Sequence, residues 1–158
     1  MLFYSDHSSP RLIYMLDLIS SEIFNDPFTP VTDKKAFIDY SGIKLNYSGG
    51  RLTENEFFIQ NHALLFETEI QQQTLARFDS SGKPAFFQTA GDFPFDIFAA
   101  VFFLVSRYEE YLPFQADKYG RFPFQASLAF KENFLDIPLV NSWLEDFKTA
   151  LRKKFPEL

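Results

Sequence analysis

The sequence predicts an α/β or α+β fold, in which a mixed β-sheet of about four to six strands is flanked by helices. Three observations carry this. Short apolar strand patterns alternate with helix-period patterns along the first half of the chain. Residues 95–105 are apolar on nearly every side, which marks a helix buried all round, here predicted over 94–112. Residues 138–155 carry Val140, Trp143, Leu144, Phe147 and Leu151 on one face, the stripe of an amphipathic helix. A length of 158 residues suits a single domain, 1–158, and 46% hydrophobic with 23% charged residues is ordinary globular usage.

Residues 2–5 form a first strand candidate. Ser9-Pro10 then reads as an N-cap followed by proline at the first helical position. Leu12, Leu16, Ile19 and Ile23 recur at three- and four-residue steps, so a helix is predicted over 10–24. A strand at 28–31 and a short helix over 33–40 follow. Residues 43–47 and 56–60 alternate loosely, and the Ser48-Gly49-Gly50-Arg51 turn between them suggests a hairpin. The polar stretch from His62 to Ser81 reads as a helix or an edge segment. The turn at 80–84 leads to a strand over 85–88. Asp92 and Asp96 sit where negative charge complements the start of the central helix, and Asp96 is expected to be exposed there; Pro113 should end that helix. Residues 117–121 form a loop around Gly120, and Arg152, Lys153 and Lys154 close the last helix as its dipole prefers.

Several function classes are disfavoured. The turn after the first strand has no glycine, so a dinucleotide fingerprint fails, and Ser48-Gly49-Gly50 lacks the lysine of a phosphate loop. There is no cysteine, which removes thiolate metal sites and a cysteine nucleophile. His7 and His62 have no metal-ligand spacing and are expected to be loop or surface residues, so no metal and no cofactor are expected. A formal charge of −6, with the only basic run at residues 152–154, argues against nucleic acid. The longest apolar run is far short of the ~20 residues that span a bilayer. The opening residues lack a basic, apolar leader pattern, so a cytoplasmic location is expected. Phenylalanine is abundant, at 22 residues, and its fully apolar ring suits a core or a dry interface.

The polar cluster Ser106-Arg107-Tyr108-Glu109-Glu110-Tyr111 follows the most apolar helix directly. Arg107 and Glu110, three apart, are expected to pair. Glu109 and Glu110 point about 100° apart on a helix, so they do not share one site unaided. The cluster is expected to tie the helix end to loops such as 117–121, and no catalytic set is composed.

The segments Lys44–Ser48, Asp92–Asp96, Ser106–Pro113, Gly120–Phe122, Ser127–Lys131 and Phe134–Trp143 lie in the same order as in the N-terminal, uncharacterised domain of Bacteroidota polysaccharide-deacetylase-like proteins, which the chain resembles. The resemblance spans most of the chain, and Ser-Arg-Tyr-Glu-Glu-Tyr is its most specific element. It implies a carbohydrate-deacetylase-like domain following this one as partner, with a glycan as a further ligand. It also implies that this chain, which lacks that enzyme's aspartate pair and His-x-x-x-His motif, is a non-catalytic accessory domain for docking or substrate positioning. Arg107, Glu109, Glu110, Tyr111, Arg121 and Lys131 are the binding candidates, with the phenylalanine-rich stretch 114–130 as a docking surface. Two alternatives stand beside it: a small enzyme with its site at residues 106–111, and a structural or oligomerising domain.

Overall fold

The computed structural model describes residues 1–24 and 27–158. Its centre is a four-stranded sheet in the order β2-β1-β3-β4, made by β1 (Leu2–Ser5), β2 (Thr29–Val31), β3 (Lys44–Ser48) and β4 (Phe57–Gln60). All three pairings are parallel. A separate antiparallel ribbon joins β5 (Phe78–Ser80) to β6 (Lys83–Ala85), with Ser81 and Gly82 both at positive φ, as a tight two-residue hairpin demands. The ribbon strand starts two residues before the one expected at 85–88, of which Ala85 pairs with Phe78 and Gln88 bridges to Phe95.

The first helix, α1 (Pro10–Ile23), starts as its sequence dictates: Ser9 Oγ accepts from Leu12 N at 3.0 Å and Pro10 opens the first turn. Leu12, Leu16, Ile19 and Ile23 are all buried. The second helix, α2 (Lys34–Asp39), is capped by Asp33, which accepts from the amides of Lys35 and Ala36. The last helix, α5 (Leu139–Lys154), buries Trp143, Leu144, Phe147 and Leu151, and Trp143 Nε1 donates to Pro84 O at 3.0 Å.

Alternation along the sheet separates two kinds of interior. Phe3, Leu45, Tyr47, Phe57 and Ile59 join the aromatic core beneath α1, α5 and the central helix. The opposite face buries polar groups. Lys44, 1% exposed, donates through Nζ to the carbonyls of Phe37, Ile38 and Tyr40, so a cation collects the orphan oxygens at the end of α2. Glu56, fully buried, accepts from Asn46 Nδ2, the amides of Leu52 and Thr53, and Thr53 Oγ1.

That second network explains why β3 and β4 are not the hairpin expected from the glycine turn. Residues 49–56 run back along the sheet to bring β4 in parallel to β3, and Glu56 gathers the backbone of this return from its far end. The turn chemistry is compatible with both topologies, and the buried carboxylate selects one.

The central helix, α3 (Ile97–Val105), is buried over residues 97–101 but not all round, since Phe102 and Leu104 are half-buried and Val105 is exposed, and it is shorter at both ends than expected. Asp96 is its N-cap, accepting from Ala99 N at 2.9 Å, and Arg107, at φ +53°, turns the chain out of the helix well before Pro113. The expectation of an exposed Asp96 is overturned: the residue is fully buried. Its other oxygen accepts from Tyr47 Oη at 2.6 Å and His62 N at 2.7 Å. A helix N-terminus, a phenol and an amide replace the cation that a buried carboxylate would otherwise need. Burial pushes its pKa up to about 6, against the opposing pull of these donors.

The edge of β4 is covered by residues 90–92. Gln60 N donates to Ala90 O, and Asp92 N to Phe58 O at 2.7 Å. Gly91 sits at φ +138°, where an added Cβ would fall 2.3 Å from Phe58 O. Asp92 also accepts from Phe58 N and bridges Arg51 and Lys154, so its pKa falls below the usual range although partial burial opposes this.

Two outcomes follow for stability. Asp96 has a folded-state pKa above its unfolded value, so its contribution is complete below about pH 4 and is lost as pH rises through about 6. Chemical denaturation of wild type and Asp96→Asn across pH 4–7 should therefore show the variant gaining on wild type by up to roughly 3 kcal/mol. A difference that stays flat with pH would remove the raised carboxylate. Gly91→Ala should cost at least about 2 kcal/mol by strain and backbone clash, and a melting temperature within error of wild type would refute the close approach.

Candidate functional site

In open parallel sheets, ligands settle outside the carboxyl ends of the strands where the winding reverses, here between β1 and β3. This protein fills that place itself. A short 3₁₀ turn, Ala63–Phe66, folds over it and is tied to the start of α1. Ser9 Oγ donates to Leu65 O, and Arg11 donates to Leu64 O at 2.7 Å and Glu69 O at 3.1 Å. The Phe66 ring lies 6.0 Å from Tyr47 and 6.4 Å from His7. A hollow of about 150 Å³ remains beside β1 and β2, smaller than the few hundred Å³ of ordinary small-molecule sites.

The open concavity lies elsewhere, where the polar cluster was anticipated. A groove of about 510 Å³ runs between the end of α3, the first turn of α5 and the loop between them, with Phe103, Phe122, Phe124, Phe134 and Val140 in its walls. Arg107, Glu109 and Glu110 lie on it together. A hollow of about 770 Å³ adjoins it and adds Lys118, Tyr119 and Arg121, and one of about 340 Å³ on the other side adds Lys131. Tyr111 lines none of the three and is largely exposed.

The residues of the cluster divide by what they touch. Arg107 pairs with Glu110 as expected, but across a 3₁₀ turn, Tyr108–Tyr111, rather than along a continuing helix. Glu109 accepts from Leu128 N at 2.9 Å, the first amide of the one-turn helix α4 (Leu128–Lys131). The tie from the helix end therefore reaches Ser127–Lys131 and not residues 117–121, where Asp117 instead accepts from Tyr119 N and Arg121 N within its own loop. Half-burial raises the pKa of Glu109, Glu110 adds to this, and the Leu128 amide and Lys131 oppose it.

Tyr108 was not among the candidates, yet it anchors the region. It is buried, and its hydroxyl accepts from Gln71 N at 2.8 Å and donates to Gln71 O at 3.1 Å. No local signal points to this, because the partner lies 37 positions away. Asn141, on the groove's far wall, carried no signal either.

The histidines behave as structural residues. His62 Nδ1 accepts from Leu64 N and caps the 3₁₀ turn, and burial lowers its pKa, with Glu67 opposing. Among the described residues no three of histidine, aspartate and glutamate converge as a metal site would need. No helix among them is long and apolar enough to cross a membrane.

A family of unknown function, DUF7033, matches residues 1–156. The chain belongs to that family. No curated protein and no solved structure matches it. The family match carries no link to polysaccharide deacetylases or to Bacteroidota.

Glu109→Ala should release the Leu128 amide and cost about 1–2 kcal/mol, as for other lost helix caps, with faster hydrogen exchange confined to residues 127–131. Unchanged exchange there would show that the carboxylate does not hold the loop.

Proposed function

We propose that this domain is a non-catalytic docking module, and that its partner is a carbohydrate-deacetylase-like domain of the same protein, which it positions on a glycan. One observation carries the reading. Most of the 22 phenylalanines are core residues, but between Phe114 and Phe130 not one is buried. Phe114, Phe124 and Phe130 are 41%, 58% and 44% exposed, and Phe124 lines one hollow with Phe114 and Tyr119 and the adjoining groove with Leu135 and Ile137. Contiguous apolar exposure on this scale marks a surface that another protein covers. Two edge-on ring pairs, Phe114 with Phe122 and Phe124 with Phe130, hold the rings upright, so little order is lost on contact.

The resemblance to deacetylase-like proteins supplies the identity of the partner, and the closed crevice between β1 and β3 favours docking over turnover. The reading keeps a cytoplasmic location, with which the lack of cysteine is compatible. The enzyme alternative retains one supporting observation, the raised carboxyl of Glu109 on a groove wall. That carboxylate is already engaged by Leu128 N, and among the described residues no base or nucleophile is hydrogen-bonded to it.

The test is to sequence the source reading frame beyond Leu158 and express the next domain separately for calorimetric titration. The domain should bind, and Phe124→Ser with Phe130→Ser should weaken binding at least about tenfold at unchanged circular dichroism, as loss of aromatic anchors does. A frame without such a domain, or undiminished binding by the double variant, would overturn the proposal.

A further inference from the structure

The charges around the groove are not balanced in what they offer outward. Every carboxylate lining the groove and its larger neighbour is consumed inside the domain: Glu109 by Leu128 N, Glu110 by Arg107, and Asp117 by the amides of Tyr119 and Arg121. The cations are not. Arg107 shares its guanidinium with Glu110 alone among the described residues, and its side chain is 74% exposed. Arg121 keeps one long contact, 3.3 Å, to Asp117 with a side chain 70% exposed. Lys118 has no carboxylate partner among the described residues and rests over the Tyr119 ring. In a chain of net charge −6, the rim therefore presents three exposed cations, Arg107, Lys118 and Arg121, beside carboxylates that each already have a partner.

Arg107 carries a second mark. It stands at φ +53°, in the left-handed region, where glycine or asparagine would make the same turn with less strain. An exposed ion pair returns little, so the Arg107–Glu110 contact does not justify an arginine there. The side chain is explained by what it can bind beyond the domain, since a guanidinium offers five donors in a fork matched to carboxylates.

The groove floor sets the other half of the ligand. It is walled by Phe103, Leu104, Phe134, Leu139 and Val140, and the hydroxyl of Ser127 is spent on Phe124 O and Phe130 N. Such a floor takes an apolar side chain.

We infer that this groove receives a protein segment bearing an apolar side chain next to a carboxylate, the apolar group entering between α3 and α5 and the carboxylate meeting Arg107. The inference rests on the docking reading and names the chemistry of the partner's surface. A second copy of this chain is disfavoured, because self-docking about a two-fold axis would oppose like rims in an already acidic protein.

The test uses two capped synthetic hexapeptides that share a Leu-Phe centre, one flanked by aspartates and one by asparagines, titrated at millimolar concentration into the ¹⁵N-labelled full chain. The aspartate peptide should shift the amides of Arg107, Phe124 and Val140 and bind at least about tenfold more tightly than the asparagine peptide. Arg107→Gly should abolish that preference while leaving the melting temperature near wild type, since the variant relieves the left-handed strain. Arg107→Lys, which keeps charge but not the fork, should retain only part of it.

Equal shifts by both peptides, no shift by either, or a preference that survives Arg107→Gly would overturn the inference. The same amides shifting with protein concentration alone would overturn it in favour of a second copy. Failure to bind the deacetylase-like domain, with peptide selectivity intact, would instead sink only the identity of the partner.

Discussion

Among the described residues Asp96 has no cation beside it, and three separate parts of the chain meet at its carboxylate instead. A buried anion must be solvated by something, and here the donors are the first turn of α3, the phenol of Tyr47 on β3, and the amide of His62 just beyond β4. Each donor lies on a different element, so satisfying one carboxylate sets the central helix against the sheet and places the 3₁₀ turn that follows His62. That turn then closes the crevice between β1 and β3 with Phe66. The absence of the usual ligand crevice is thus a downstream effect of how one acid is buried.

The other face of the sheet obeys the same rule by different means. Lys44 and Glu56 are buried charges with separate partners: Lys44 is satisfied by the carbonyls at the end of α2, and Glu56 by two amides of the return loop before β4 together with Asn46 and the Thr53 hydroxyl. Main-chain groups left over at helix ends and turns are abundant, and a charged side chain can complete several at once. This makes the short helix and the helix-free crossover dependent on two residues rather than on a large apolar contact.

Around α3 the exposure of aromatic rings changes abruptly. Up to Phe103 the rings are packed edge to face into one core, with Phe98 touching Phe3, Phe28, Tyr47 and Phe147. Past Arg107 the chain leaves the helix, and the phenylalanines of residues 114–130 find only each other. The left-handed turn at Arg107 is the boundary between an interior that folding completes and a surface that folding leaves open. Our functional reading is built on that boundary, with the apolar groove and its exposed cations as the parts that a partner would complete.

The sequence by itself determined what depends on near neighbours. The Ser9-Pro10 start of α1, the Asp33 cap of α2, the buried stripe of α5, the apolar first turns of α3 and the Arg107–Glu110 pair are written within a few residues of one another, because caps, periodicity and three-residue pairs are local physics. Tertiary structure alone decided the rest. The parallel pairing of β3 and β4 needed Glu56 to gather the return loop, and the burial of Asp96 needed a phenol 49 positions away. Tyr108 needed Gln71, and the phenylalanines of the core and of the groove, identical as residues, were separated only by whether another element reached them. Burial and long-range partners are properties of the assembled chain, so composition announced an aromatic protein but not which rings would stay in water.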